Sequence, residues 1–221
     1  MNKKVKKSFA SGIDFYKLFW VFMIGCFLGV VVETLFCLVT NGYIQSRQGV
    51  IYGPFNPVYG FGAVVLTLVL HPITKKRWYV IFLLSMVLGG GFEFISSYIQ
   101  QLTTGTISWQ YNQTPLNLAG RTSLRYSFYW GFLGLLWVKE IYPGLSKWIE
   151  KIPEKIGAIL TWILVVFMVL NMSISALAVN RWNERINNIP ATGVLEEFLD
   201  NTYPNNFLEQ VYPNMVHVGH P

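Results

Sequence analysis

Glu33 and Glu93 are the residues from which chemistry can be read. Each is a lone acid inside a long apolar run, "VVVETLFCL" in one place and "GGGFEFISS" in the other. An acid at the centre of a membrane span costs about 2.5–3.5 kcal/mol on insertion scales and less near the interface, so each must face protein, water or a partner. Three arginines follow in polar, aromatic-rich stretches: Arg47, Arg121 and Arg125. Guanidinium is the cation suited to forked, partly buried pairing with carboxylate. The expected arrangement is therefore one polar cluster of Glu33, Glu93, Arg47, Arg121 and Arg125, lined by Tyr52, Asn56, Trp109, Tyr111 and Asn117. Such a cluster serves either as a clamp holding two loops to the bundle or as a functional site, a ligand pocket or proton-linked path. Both readings stay open at this stage.

The elements that must position these residues are membrane helices. The chain has 221 residues, 52% hydrophobic and only 13% charged, against about 25% charged in a soluble domain. About 20 residues are needed to cross a hydrocarbon core of about 30 Å. Five apolar runs approach or exceed that length: Phe15 to Thr40, Pro57 to Ile73, Trp78 to Leu102, Leu124 to Tyr142 and Ile156 to Val179. The expected fold is an all-α integral membrane bundle of about five transmembrane helices over residues 1–180, followed by a polar tail over 181–221. The basic opening "MNKKVKKSFASG" leads into a run too long for a signal peptide, with no A-x-A-like cleavage site, so a retained first span is expected.

Lys and Arg set the orientation. With the N-terminus inside, the cytoplasmic side collects Lys3, Lys4, Lys6, Lys7, Lys17, Lys75, Lys76, Arg77, Lys139, Lys147, Lys151 and Lys155, while the outer side keeps Arg47, Arg121, Arg125, Arg181 and Arg185. Every lysine is then inside, giving an N-in, C-out topology. The net charge of +6 forms no stripe on a soluble face, so nucleic acid is not an expected partner. Membrane lipids are, and a second copy of the chain is a further candidate.

The first four spans read as two parallel helix-loop-helix repeats, with the fifth span added. Gly25, Gly29, Glu33 and Cys37 recur every fourth residue in the first span, as do Gly89, Glu93 and Ser97 in the third. Each stripe ends at a turn, Asn41-Gly42 or Thr104-Gly105, and a Pro-x-Asn unit follows, Pro54-Phe55-Asn56 or Pro115-Leu116-Asn117. The glycine-rich loop from Arg47 and its counterpart "TISWQYNQTPLNLAGRTS" are expected to form a lid or plug, since non-helical backbone near membrane depth survives only when packed in protein or lining a cavity.

Between the fourth and fifth spans, "PGLSKWIEKIPEKIG" reads as a short surface helix with Trp148 and Ile149 toward lipid. The tail repeats with a period of nine, Phe198-Leu199-Asp200 with Tyr203-Pro204-Asn205, then Phe207-Leu208-Glu209 with Tyr212-Pro213-Asn214, which predicts two short helices each stopped by Tyr-Pro-Asn. Cys26 and Cys37 lie about 16 Å apart along one helix and cannot bridge. His71, His217 and His220 form no metal-ligand pattern, no phosphate-loop motif is present, and no cofactor is expected.

The residues around both acids resemble one known family, the ABC-transporter type IV permeases of bacteria, or CmpB-like membrane proteins. The resemblance rests on Glu33, on "RQGVIYGPFNPVYGFGA", on Glu93 followed by "WQYNQTPLNLAGRTSLRYSFYWGFLG", and on the tail "FLDNTYPNNFLEQVYPNM". The family usually has Trp-Asp-Tyr-Ser where this chain has Trp109-Gln110-Tyr111-Asn112, and Asn-Arg-Gly where it has Ser46-Arg47-Gln48-Gly49. The resemblance implies a multipass protein of the bacterial cytoplasmic membrane acting as a transport permease subunit. Any ATP hydrolysis would then belong to a separate ATPase subunit. Two alternatives remain: a membrane scaffold or sensor, and a membrane enzyme on a lipid or envelope precursor, with Glu33 or Glu93 as base.

Overall fold

A computed structural model of the chain describes residues 9–219. Lys3, Lys4, Lys6, Lys7 and His220 lie outside the described residues. The helices are, in order, α1 Phe15–Asn41, α2 Pro57–Leu70, α3 Trp78–Thr104, α4 Leu124–Leu136, α5 Tyr142–Glu150, α6 Glu154–Ile186, α7 Val194–Thr202 and α8 Asn205–Val211. A 3-10 turn, His71–Ile73, extends α2, and a π-helical stretch, Trp137–Ile141, joins α4 to α5.

Local chemistry sets the ends of these helices. Asp14 caps α1 by accepting from the Lys17 backbone N–H at 2.8 Å. Asn56 caps α2 in the same way, with Pro57 in the first helical position, where a missing N–H is harmless. Gly42 and Gly105 close α1 and α3 with φ of 79° and 66°, a left-handed geometry that other residues adopt reluctantly. Pro72 stops α2, and Ser123 caps α4.

α1, α3 and α6, with 27, 27 and 33 residues, are long and apolar enough to cross a membrane. Their outer faces carry the residues a soluble protein would bury: Val32, Phe36 and Val39 on α1, Leu83 and Val87 on α3, and Ile159, Ile163 and Val169 on α6 are all exposed. Exposed apolar surface on this scale marks contact with lipid. The all-α membrane bundle is thus present, but among the described residues three helices meet the length expected of a span. The 17 residues Pro57–Ile73 form a shorter apolar helix. α4 has 13 residues before its winding changes at Trp137.

Packing pairs α1 with α2 and α3 with α4 most closely. Small residues allow it, as expected where helices meet in lipid. A side chain at Gly25 would meet Ala63, and one at Gly60 would meet Cys26 and Phe22; across the second pair, Gly131 lies against Phe82 and Met86, and Gly134 against Ser85.

Two ends of the bundle then differ. At the end bearing α5, Lys17 is fully buried and reaches Ser146 O at 3.2 Å and Glu150 Oε1 at 2.5 Å, tying α1 to α5. Glu150 is held below the usual carboxylate range, chiefly by the Lys17 hydrogen bond. Ile149 faces this core and is buried, contrary to the expectation that it meets lipid; Trp148 alone is exposed, beside Lys151. A short helix docked on the bundle buries one stripe, and the i, i+1 pair Trp148-Ile149 straddles its edge.

At the loop-bearing end a separate core gathers Ile51, Val179, Trp182, Leu199, Tyr203, Leu208 and Tyr212. The tail forms the two helices its repeat predicts, and they end at Tyr203 and Tyr212. Strand β1, Thr106–Ile107, pairs antiparallel with β4, Val216–His217, so the chain's last described residues bind the second loop. Strands β2, Asn117–Leu118, and β3, Thr122–Ser123, form a small hairpin within that loop.

Candidate functional site

The helical register puts Gly29 one turn before Glu33 on the face of α1 toward α2. No side chain occupies that step, and the Tyr59 ring of α2 fills it: a Cβ on Gly29 would collide with the ring. Seated there, Tyr59 extends its hydroxyl to Glu33 Oε2 in a short hydrogen bond. The other carboxylate oxygen stands 3.5 Å from Arg47 Nη1. Arg47 is held in turn by its Nη2 contact to Cys37 Sγ at 3.4 Å, and its carbonyl accepts from Asn56 Nδ2 at 3.1 Å. Asn56 also donates its backbone N–H to Cys26 O at 3.0 Å. The Pro-x-Asn unit therefore fixes the loop at Arg47, caps α2 and anchors to α1 at once.

The second half begins alike. Gly89 precedes Glu93 by one turn and is filled by the ring of Trp130 from α4. An indole there offers no hydroxyl to the acid. The loop supplies donors instead: the Tyr111 hydroxyl donates to Glu93 Oε1 at 2.7 Å and the Thr122 hydroxyl to Oε2 at 2.9 Å. Glu93 is buried, and among the described residues no arginine or lysine stands within ion-pair distance of it. Tyr111 stacks on Tyr126 with centroids 4.1 Å apart. Its hydroxyl is pushed well above the ordinary tyrosine range, first by burial, then by Glu93, with smaller contributions from Tyr126 and Tyr59.

The expected single cluster is thus divided. Arg121 does not pair with an acid: Nη1 donates to Ser97 Oγ at 3.0 Å, Nη2 donates to Gln101 Oε1, and the Tyr98 ring lies 5.4 Å away. Trp109 supports it by donating to its carbonyl at 2.9 Å. Arg125 is exposed and reaches only the Tyr129 hydroxyl, at 3.3 Å. Asn117 holds the second loop, accepting from Gly120 N–H and donating to Thr114 O, both at 2.9 Å. Its Pro-x-Asn unit caps no helix, because α4 begins seven residues later with Ser123 as its cap. Tyr52 belongs to the tail contact: its hydroxyl meets that of Tyr203 at 2.8 Å, while its backbone N–H and carbonyl are both bound by Asn171 of α6 at 3.1 and 2.7 Å. The first loop is therefore tied to α6 and to the tail at Tyr52.

Sequence reasoning missed three first-rank partners: Tyr59, Thr122 and Cys37. A glycine one turn before an acid is a weak signal that an aromatic ring occupies the step, and for Tyr59 that signal was present. It also missed the tail clamp. Arg181, almost fully buried, forks onto Asp200 with both bonds at 2.9 Å, and Arg185 binds Asp200, Asn205 and the Tyr203 carbonyl. Asp200 is held below the usual carboxylate range, first by the Arg181 hydrogen bond.

Long apolar helices carrying two acids, one bonded by a hydroxyl and a guanidinium and the other by two hydroxyls, define an α-helical integral membrane protein. The chain belongs to the family described as "Putative ABC-transporter type IV", whose family model matches residues 20–176. That match takes in both acids and both loops and stops before the tail helices. No curated protein and no solved structure matches the chain.

Proposed function

We propose that the chain is a permease subunit of the bacterial cytoplasmic membrane, with residues 1–180 spanning it five times, N-terminus inside, and 181–221 folded outside. Two parallel repeats, α1 with α2 and α3 with α4, each contribute one acid to an outward-facing site, and nucleotide hydrolysis belongs to a separate chain. The observation that carries this reading is Glu93, a buried acid held by two neutral donors with no cation paired to it among the described residues. A buried carboxylate without a counter-ion is costly to keep charged, so Glu93 is a group suited to take up a proton or meet a passing cation. Clamping alone would be served as well by an amide.

Affinity purification of the tagged full chain from its native membrane, with ATPase activity as the readout, tests the assignment. A nucleotide-hydrolysing subunit recovered in fixed ratio supports it; a chain recovered alone under conditions that preserve known transporter complexes contradicts it. A second reading, a scaffold or sensor, is favoured by one feature: α7 leaves Val194, Leu195 and Phe198 exposed on the folded tail, a surface suited to a protein partner.

A further inference from the structure

The face of α3 beside the second acid is bare. Gly91 leaves the helix backbone open, while its neighbour Gly90 packs against Ser127, and a cavity of about 430 Å³ runs past both, walled by Val87, Phe94, Ile95, Leu118 and Leu124. A Cβ on Gly91 would meet nothing within 4 Å. Thr122, which donates to Glu93, and Ser127 are the polar residues in its lining. Beyond the β2–β3 hairpin lies a second, polar cavity of about 160 Å³, bounded by Arg121 with Trp109, Gln110 and Asn112. Room of that size holds several waters.

Arg121 is the decisive residue. Its two bonds go to the neutral acceptors Ser97 and Gln101, and among the described residues no carboxylate pairs with it. Its charge is thus not neutralised by an acid but rests over the Tyr98 ring, 5.4 Å away, and guanidinium is a group suited to phosphate. Along α3, Gly91 and Gln101 are separated by ten residues, about 15 Å. The apolar groove and the cationic cavity thus follow one helix face at a spacing that suits a chain and its headgroup.

We infer that this surface binds an anionic phospholipid, its acyl chain in the Gly90-Gly91 groove and its phosphate on Arg121. The occupant lies against Thr122 and so against the second acid. The inference rests on the chain lying in a bilayer, not on transport, and it stands or falls apart from any ATPase subunit.

The test reconstitutes the full chain in nanodiscs of phosphatidylcholine with graded phosphatidylglycerol and measures co-retained lipid by native mass spectrometry. The unsubstituted chain retains phosphatidylglycerol preferentially. Arg121→Gln lowers that preference about tenfold, the loss of a charge-assisted bond. Gly91→Leu, which fills the groove, weakens retention of both lipids with helical content unchanged. Undiminished preference in Arg121→Gln overturns the proposal. So does a Gly91→Leu chain that retains lipid normally, or inorganic phosphate alone displacing the preference, which would make the occupant a free anion. Should Arg121→Gln fail to fold, the Gly91→Leu result decides.

Discussion

Glu33 and Glu93 occupy comparable steps on α1 and α3, each one turn beyond a glycine filled by an aromatic ring, yet they are compensated differently. Glu33 has a guanidinium at 3.5 Å and a tyrosine hydroxyl from the neighbouring helix. Glu93 has two hydroxyls, both from the loop or its edge, and no cation. The identity of the ring explains the divergence. Tyr59 brings a donor into the step, so the first loop is free to contribute charge. Trp130 brings none, so the second loop must bend Tyr111 and Thr122 inward, and Arg121 is left outside.

The largest effect on this comparison is expected from Glu93→Ala. It strands the Tyr111 and Thr122 hydroxyls, each buried donor costing about 1–3 kcal/mol when unpaired. Thermal unfolding in detergent should show a loss of about 2–5 kcal/mol, several times that of Glu93→Gln, which keeps an acceptor. Next comes Gly89→Ala. The added methyl displaces Trp130 and overpacks the α3–α4 contact, with a loss of about 1–3 kcal/mol; if Gly29→Ala gives a similar loss while also weakening the Glu33–Tyr59 bond, the parallel between halves is sharpened. Arg47→Gln should cost less, about 1 kcal/mol, because the Glu33 pair is partly exposed and Tyr59 remains. It converts the first half into a hydroxyl-only site like the second.

The smallest effect is in alkali. Tyr111 is raised by burial first and by Glu93 second, so the folded chain keeps its proton where an unfolded tyrosine, near 10.0, loses it. That stabilisation is complete below about pH 10 and is lost as pH rises above it. Tyr111→Phe should flatten the alkaline limb of the stability profile, measured by urea or thermal unfolding between pH 9 and pH 11.

Much of this arrangement can be read in the residues. The apolar runs, the glycine stripes, the loop glycines and the period-nine tail all obey local rules, and the first three helices fall close to the expected bounds, while α4 changes its winding after Leu136 and α6 runs seven residues further than expected, to Ile186. What escaped has a common cause. Guanidinium pairs well with carboxylate, so the residues alone point Arg121 and Arg125 to the acids, but β1 of the second loop pairs with the tail at Val216–His217. Two-residue strands leave no periodic trace. Lys17 counts among the expected cytoplasmic cations, but composition gives no sign that it is buried and reaches Glu150. A long side chain near a helix end can travel inward as readily as outward. The Arg181–Asp200 fork joins residues 19 apart across two helices, a pairing that only the packing of α7 on α6 reveals.

One double-mutant cycle in each half decides whether the two acids are held as described. Glu33→Gln with Arg47→Gln, and Glu93→Gln with Arg121→Gln, would be compared by unfolding free energy. A coupling of about 0.5–1.5 kcal/mol is predicted for the first pair and one near zero for the second. Equal couplings, or a larger one between Glu93 and Arg121, would contradict the division of the site into a charge-paired half and a hydroxyl-held half.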